Sequence, residues 1–331
     1  MNNFYKIMFL ILILMSTMIS ISSTSWFGMW LGLEINLLSI IPLMNSSKNS
    51  LSNEASLKYF VIQAISSTIF LMSIILLSNQ LFSFNSIIIM LNSSLLTKMG
   101  AAPFHFWFPE VMEGISWFNS FLMLTWQKIT PFILMMYNFN INMFFCVIII
   151  ICMIISGFMG INQISLRKIL VYSSINHLGW MIASLFYSIY IWKFYFIIYF
   201  IITFNIIILF YYMNIFYMKQ LFMKMNNNFY LKLLFILNFL SLGGIPPFLG
   251  FLPKWLVIQN LNYLNMSIMS FLMIILTLFT LYFYMRLSFP TLILNIDQLN
   301  FKMNKNSLWI PMILNSISLF FLTLLTLFSL N

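Results

Sequence analysis

The sequence predicts an all-α membrane protein of eleven transmembrane helices, built as two inverted five-helix repeats with one broken helix in each and a final helix after them. Three observations lead there. Of the 331 residues, 62% are apolar and only 6% are charged, against about a quarter charged in a soluble domain. Apolar runs long enough to enter or cross a bilayer recur from end to end. Two of those runs are interrupted by glycine and proline beside a lysine, and the interruptions fall five helices apart.

Taken in order, the chain begins with Lys6 and an apolar run to Met15. No small-x-small cleavage pattern precedes the next hydrophobic segment, so this run reads as the first membrane helix, 4–22, rather than a signal peptide. The remaining helices are expected at 25–45, 53–78, 83–111 (broken), 116–136, 142–160, 165–187, 192–217, 229–262 (broken), 266–288 and 308–329. Most connections are short and rich in Ser and Asn, and no composition shift marks a second domain. Residues 1–331 therefore read as one transmembrane domain, with repeats over roughly 4–137 and 142–288 and a last helix at 308–329. Ser52-Asn53-Glu54 reads as the amino-terminal cap of the third helix.

The net charge of +10 would point to nucleic acid in a soluble protein, but here it follows the membrane. Lys98, Lys128 and Lys254 lie inside predicted helices. Of the other basic residues, Lys6, Lys48, Lys58, Arg167, Lys168, Lys219, Lys224, Lys232, Arg286, Lys302 and Lys305 fall on one face, and Lys193 alone on the other. That asymmetry puts the amino terminus and the basic loops inside and the carboxyl terminus outside.

The first interruption is Lys98-Met99-Gly100-Ala101-Ala102-Pro103-Phe104-His105-Phe106-Trp107-Phe108-Pro109-Glu110. A helix running through Pro103 would lose a backbone hydrogen bond and clash with the preceding turn. Lipid offers nothing to the freed carbonyls, so the break requires cover from protein or a wet cavity. The second interruption, Ser241-Leu242-Gly243-Gly244-Ile245-Pro246-Pro247-Phe248-Leu249-Gly250-Phe251-Leu252-Pro253-Lys254-Trp255, has the same ingredients. Five helices separate the two, an odd number, so the second half enters the membrane from the opposite side. Paired interrupted helices in inverted repeats mark a transport pathway.

Glu34 lies midway along the second predicted helix and Lys128 at similar depth in the fifth, in Trp126-Gln127-Lys128-Ile129-Thr130-Pro131. An unpaired charge there costs at least about 2.5–3.5 kcal/mol on insertion scales. Glu34, Lys98, Lys128 and Lys254 together read as a proton relay, in which a carboxylate moving towards or away from a buried lysine sets its proton affinity. A static Glu34–Lys98 pair that only locks helices is the structural alternative. His177, beside Ser173, Ser174 and Asn176 on the seventh helix, is a further relay candidate, and His105 a lesser one. Glu110 and Glu113 are assigned no chemistry. The chain has no G-x-G-x-x-G, no Walker motif and no metal-spaced His/Cys group, and Cys146 and Cys152 fit neither a disulfide nor an iron–sulfur cluster. Sparse Ala, Val and Arg beside 27 methionines fit an AT-rich, organellar gene.

The two interrupted stretches, Trp126–Pro131 and Ile175-Asn176-His177-Leu178-Gly179-Trp180 resemble the chain 2 family of mitochondrial NADH–ubiquinone oxidoreductase, respiratory complex I, in its insect form. The resemblance covers nearly the whole chain. It implies an antiporter-like, proton-pumping core subunit of the membrane arm, in the inner membrane, with its basic loops towards the matrix. It also implies roles: Glu34 matches the glutamate that pairs with a lysine, Lys98 the lysine of the first broken helix, Lys128 the connecting lysine and Lys254 the lysine of the second. Sister subunits have glutamate at the last of these. The resemblance places NADH, FMN, iron–sulfur clusters and ubiquinone in other subunits, so no cofactor is expected here. Expected partners are those subunits, neighbouring antiporter-like chains among them, and membrane lipids, but no nucleic acid. A free-standing cation/proton antiporter and a purely structural scaffold are the competing classes; the first predicts activity of the isolated chain and the second predicts no line of intramembrane charge.

Overall fold

The computed structural model describes residues 2–45, 49–79, 83–139, 143–225, 229–246 and 248–293. The expected final helix at 308–329, together with Lys48, Pro247, Lys302 and Lys305, lies outside the described residues. Within them the protein is all-helical apart from an isolated bridge between Ser165 and Tyr217. Among the described residues six helices are long and apolar enough to cross a bilayer, which makes this a membrane protein. The chain forms two compact units that divide after Phe144.

The first unit holds α1 (Asn2–Ser22), α2 (Trp26–Met44), α3 (Ser50–Asn79), α4 (Phe84–Met99), α5 (Trp107–Gly114), α6 (Trp117–Leu124) and α7 (Trp126–Tyr137). Ser25 starts α2 by accepting from the Gly28 N–H at 3.2 Å. The buried face of α2 runs Met29, Leu33, Asn36, Leu37, Ile40, Met44, a helical spacing. Lipid tails are as apolar as these side chains, so close packing rather than water exclusion holds the helices together. Gly32 shows this: a Cβ there would lie 2.7 Å from the Ser20 backbone nitrogen of α1. Helical hydroxyls mostly donate to the carbonyl three residues back, as Ser16 to Ile13, Ser66 to Gln63 and Ser94 to Leu91 do.

The second unit holds α8 (Met143–Ile161), α9 (Leu166–Leu185), α10 (Ile189–Met213), α11 (Met218–Met225), α12 (Phe229–Gly243), α13 (Phe251–Tyr263) and α14 (Ser267–Ile293). Almost every residue of α9 is buried, and it packs against α10, α13 and α14. Several basic residues gather at one end of this unit. Leu166 donates to the Phe216 carbonyl and Met218 to that of Ile164, joining the start of α9 to the start of α11. Arg167 lies over the Phe216 ring at 4.9 Å. Lys224 donates to the Met213 carbonyl at 2.6 Å and to Asn214 at 3.0 Å, where α10 ends. Arg286 donates to the Ile161 carbonyl at the end of α8. Lys224 and Arg286 thereby satisfy carbonyls at helix ends and meet the negative end of the helix dipole.

Three expected elements differ. The helix expected at 116–136 is two, α6 and α7, parted at Thr125 with φ −121° and ψ −69°. Pro131 lies inside α7 and has no N–H for the Gln127 carbonyl, which it also crowds. The helix expected at 192–217 ends at Met213, because Asn214 turns left-handed at φ 50°, and α11 follows as a separate short helix. The cap expected at Ser52–Glu54 falls inside α3, which starts at Ser50: Ser52 donates to the Asn49 carbonyl at 2.7 Å, and Glu54 pairs with Lys58 at 2.9 Å.

Candidate functional site

The two interrupted helices close in the same way. At the end of α4, Gly100 takes φ 70° and donates to the Thr97 carbonyl, while Ala101 donates to Leu96 at 3.0 Å. At the end of α12, Gly244 takes φ 77° and donates to Ser241, while Ile245 donates to Leu240 at 3.3 Å. Each is a left-handed glycine followed by a bond back over five residues, the Schellman pattern. Glycine is required because a side chain in the left-handed region is strained.

The remaining carbonyls at each break find donors from protein. Gln63 of α3 donates to the Lys98 carbonyl at 3.4 Å, and the Trp107 indole to that of Thr97 at 3.2 Å. At the second break the donor is Lys254 itself, whose ammonium reaches the Leu242 carbonyl at 3.3 Å and the Gly243 carbonyl at 2.8 Å. Lys254 sits in the first turn of α13 and spans the break to cap α12. Its Nζ also lies 5.9 Å from the centre of the Trp180 ring, within cation–π range.

In the first unit, Lys98 is 7% exposed and Lys128 1%. Lys128 stands in the first turn of α7 with its Nζ 5.7 Å from the Phe108 ring centre, and Phe108 also walls Gly100. Glu34 is half-buried on α2 and close enough to act on Lys98 electrostatically, yet among the described residues no ion pair joins them. Between α2 and α7, Asn36 and Gln127 exchange side-chain hydrogen bonds at 2.9 and 3.0 Å. A narrow cavity beside Lys98 is lined by Asn36, Tyr59, Gln63, Gln127 and Thr130.

In the second unit, His177 is buried on α9, its Nδ1 2.9 Å from the Tyr195 hydroxyl and its ring 5.1 Å from that of Tyr199. A second cavity is lined by His177, Tyr195, Tyr199 and Pro253, the residue before Lys254. His177 and Lys254 thus belong to one neighbourhood, with Trp180 one turn along α9 facing the lysine. His105 interacts with the Pro103 carbonyl at 3.3 Å and stacks near Phe106, a contact internal to the turn. Glu110 pairs with Lys58 at 2.9 Å at the exposed end of α5. Neither Cys146 nor Cys152 is in a disulfide.

Comparison with known proteins bears on this arrangement. Residues 23–280 match the family model described as NADH:quinone oxidoreductase/Mrp antiporter, TM. NADH-ubiquinone oxidoreductase chain 2 of Anopheles gambiae is 51% identical over 306 residues, 90% of this chain and 89% of that one. The Locusta migratoria chain 2 is 46% identical over 94% of each. The chain belongs to the NADH-ubiquinone oxidoreductase chain 2 family. Its fold is antiporter-like. A chain of respiratory complex I from Thermus thermophilus with bound aureothin superposes with a TM-score of 0.85 at 20% identity, covering 96% of this chain and 78% of that one. A chain of the Mrp complex from Dietzia sp. DQ12-45-1b gives 0.73 at 14% identity, over 84% and 59%.

The matched span, residues 23–280, contains both breaks and the positions of Glu34, Lys98, Lys128, His177 and Lys254. Sequence reasoning passed over the neutral groups that organise them: Asn36, Gln63, Gln127, Thr130, Tyr195 and Tyr199. The signal was present for the amides. Gln63 is a buried amide in the middle of a 30-residue helix, and Asn36 lies two positions from Glu34. In an apolar helix an amide needs a partner just as a charge does.

Proposed function

We propose that this chain is a core membrane-arm subunit of mitochondrial complex I, NADH:ubiquinone reductase, and carries protons across the inner membrane through Glu34, Lys98, Lys128 and Lys254, with His177 between the last two. Electron transfer in other subunits drives the movement; NADH, FMN, the iron–sulfur clusters and ubiquinone belong to those subunits. Its partners are the neighbouring antiporter-like subunits and membrane lipids. Eleven membrane helices in two inverted repeats, 4–137 and 142–288, form one domain with a last helix at 308–329, and the amino terminus and basic loops face the matrix.

The observation that carries this reading is a buried lysine at each of two identically capped helix breaks. A scaffold has no use for such groups, which are expensive in a membrane. Division of the chain at Phe144 supports the two halves, and the clustering of Arg167, Lys224 and Arg286 at one end of the second unit supports the orientation. Extraction in mild detergent tests the assembly. The chain is expected to migrate with a large NADH-oxidising complex; a chain that runs alone and exchanges cations for protons would favour the free-standing antiporter.

A further inference from the structure

Thr130 departs from the rule its neighbours follow. Ser94, Thr97 and Ser120 each donate to the carbonyl three residues back. The Thr130 hydroxyl is 1% exposed and has no hydrogen-bond partner among the described residues. Its would-be acceptor, the Gln127 carbonyl, is also the group to which Pro131 has no N–H to offer. A buried hydroxyl left bare costs about 1–3 kcal/mol, so both groups call for a partner from outside the helix. Thr130, Gln127 and Lys98 line one cavity with Asn36, Tyr59 and Gln63, and that cavity has room for about one water molecule.

We propose that this cavity is a water-binding site anchored by the Thr130 hydroxyl, and that the water held there links the Lys98 ammonium to α7. Thr130 is a positioning residue: it does not titrate but fixes the water against Lys98. When Lys98 discharges, its N–H bond breaks and an O–H bond forms on the water, while one of the water's own O–H bonds breaks and that proton passes to the next group of the proposed relay; recharging runs the same steps in reverse. This rests on the relay proposed above and adds the group that carries the proton away from Lys98.

Thr130→Val keeps the shape and removes the hydroxyl, while Thr130→Ser keeps the hydroxyl. In assembled complex in inner-membrane vesicles, Thr130→Val should slow coupled turnover on the order of tenfold and lower the proton-to-electron ratio, and Thr130→Ser should restore both. A map of the wild-type complex that resolves waters should show one within hydrogen-bond distance of Thr130 Oγ1 and facing Lys98 Nζ. Normal pumping by Thr130→Val, or a dry cavity in that map, overturns the inference; the map decides even if the valine variant fails to assemble. Failure of the relay itself has a different signature, namely normal pumping by Lys98→Met. An impaired Lys98→Met beside a normal Thr130→Val would leave the relay standing and remove only Thr130.

Discussion

Asn36 and Gln127 hydrogen-bond reciprocally: each amide donates to the other's carbonyl oxygen, at 2.9 and 3.0 Å, across the contact between α2 and α7. The pair is uncharged, buried, and flanked in sequence by Glu34 on one side and Lys128 on the other. It fixes the register of the helices that bear those charges without using the charges themselves.

Breaking one side of this pair should cost more per residue than breaking both. Asn36→Leu or Gln127→Leu alone leaves a buried amide bare, at about 1–3 kcal/mol. The double variant leaves no orphan and should lose less than the sum. Thermal inactivation of the solubilised complex for the single and double variants gives this cycle; strict additivity would mean that the pair does not couple the helices.

Adjacent glycines at the second break should respond in opposite ways. Gly244→Ala places a Cβ 2.8 Å from Lys254 Cδ at a φ of 77°, a strain of about 1–2 kcal/mol before the clash is counted. Gly243→Ala meets nothing nearer than 3.6 Å, ordinary contact with Tyr284. Complex carrying Gly244→Ala should assemble poorly or pump weakly, and Gly243→Ala should match wild type. Native gels with coupled-turnover assays distinguish them.

Orientation is open to labelling. Cysteine at Arg167 or Lys224 should react with an impermeant maleimide only from the matrix side, and cysteine at Lys193 only from the other. Arg167 and Lys224 reacting from opposite sides would show that the helix count between them is wrong.

How far the sequence could be read depended on whether a feature announces itself by residue type. Gly100 with Pro103, and Gly243 with Gly244 and Pro246, marked both breaks, because glycine and proline act on the backbone directly. Lys98, Lys128 and Lys254 stood out because a charge in an apolar run is expensive. Thr125 announced nothing, since no glycine or proline stands at or beside it. Lys254 was legible as a charge but not as the cap of α12, since that role depends on the chain folding back by eleven residues to bring its ammonium to Gly243. Asn36 and Gln127 were hidden for the same reason, being 91 residues apart.

The relay is tested most directly by Lys98→Met, which keeps side-chain length and removes the proton site. Glu34→Gln should act in the same direction by removing the partner charge. The measurement is the proton-to-electron ratio of fully assembled complex in sealed inner-membrane vesicles oxidising NADH. A ratio below wild type, with slower coupled turnover at normal assembly, is the expected result; a wild-type ratio and rate in fully assembled Lys98→Met complex would contradict the relay and leave the buried lysine a structural part.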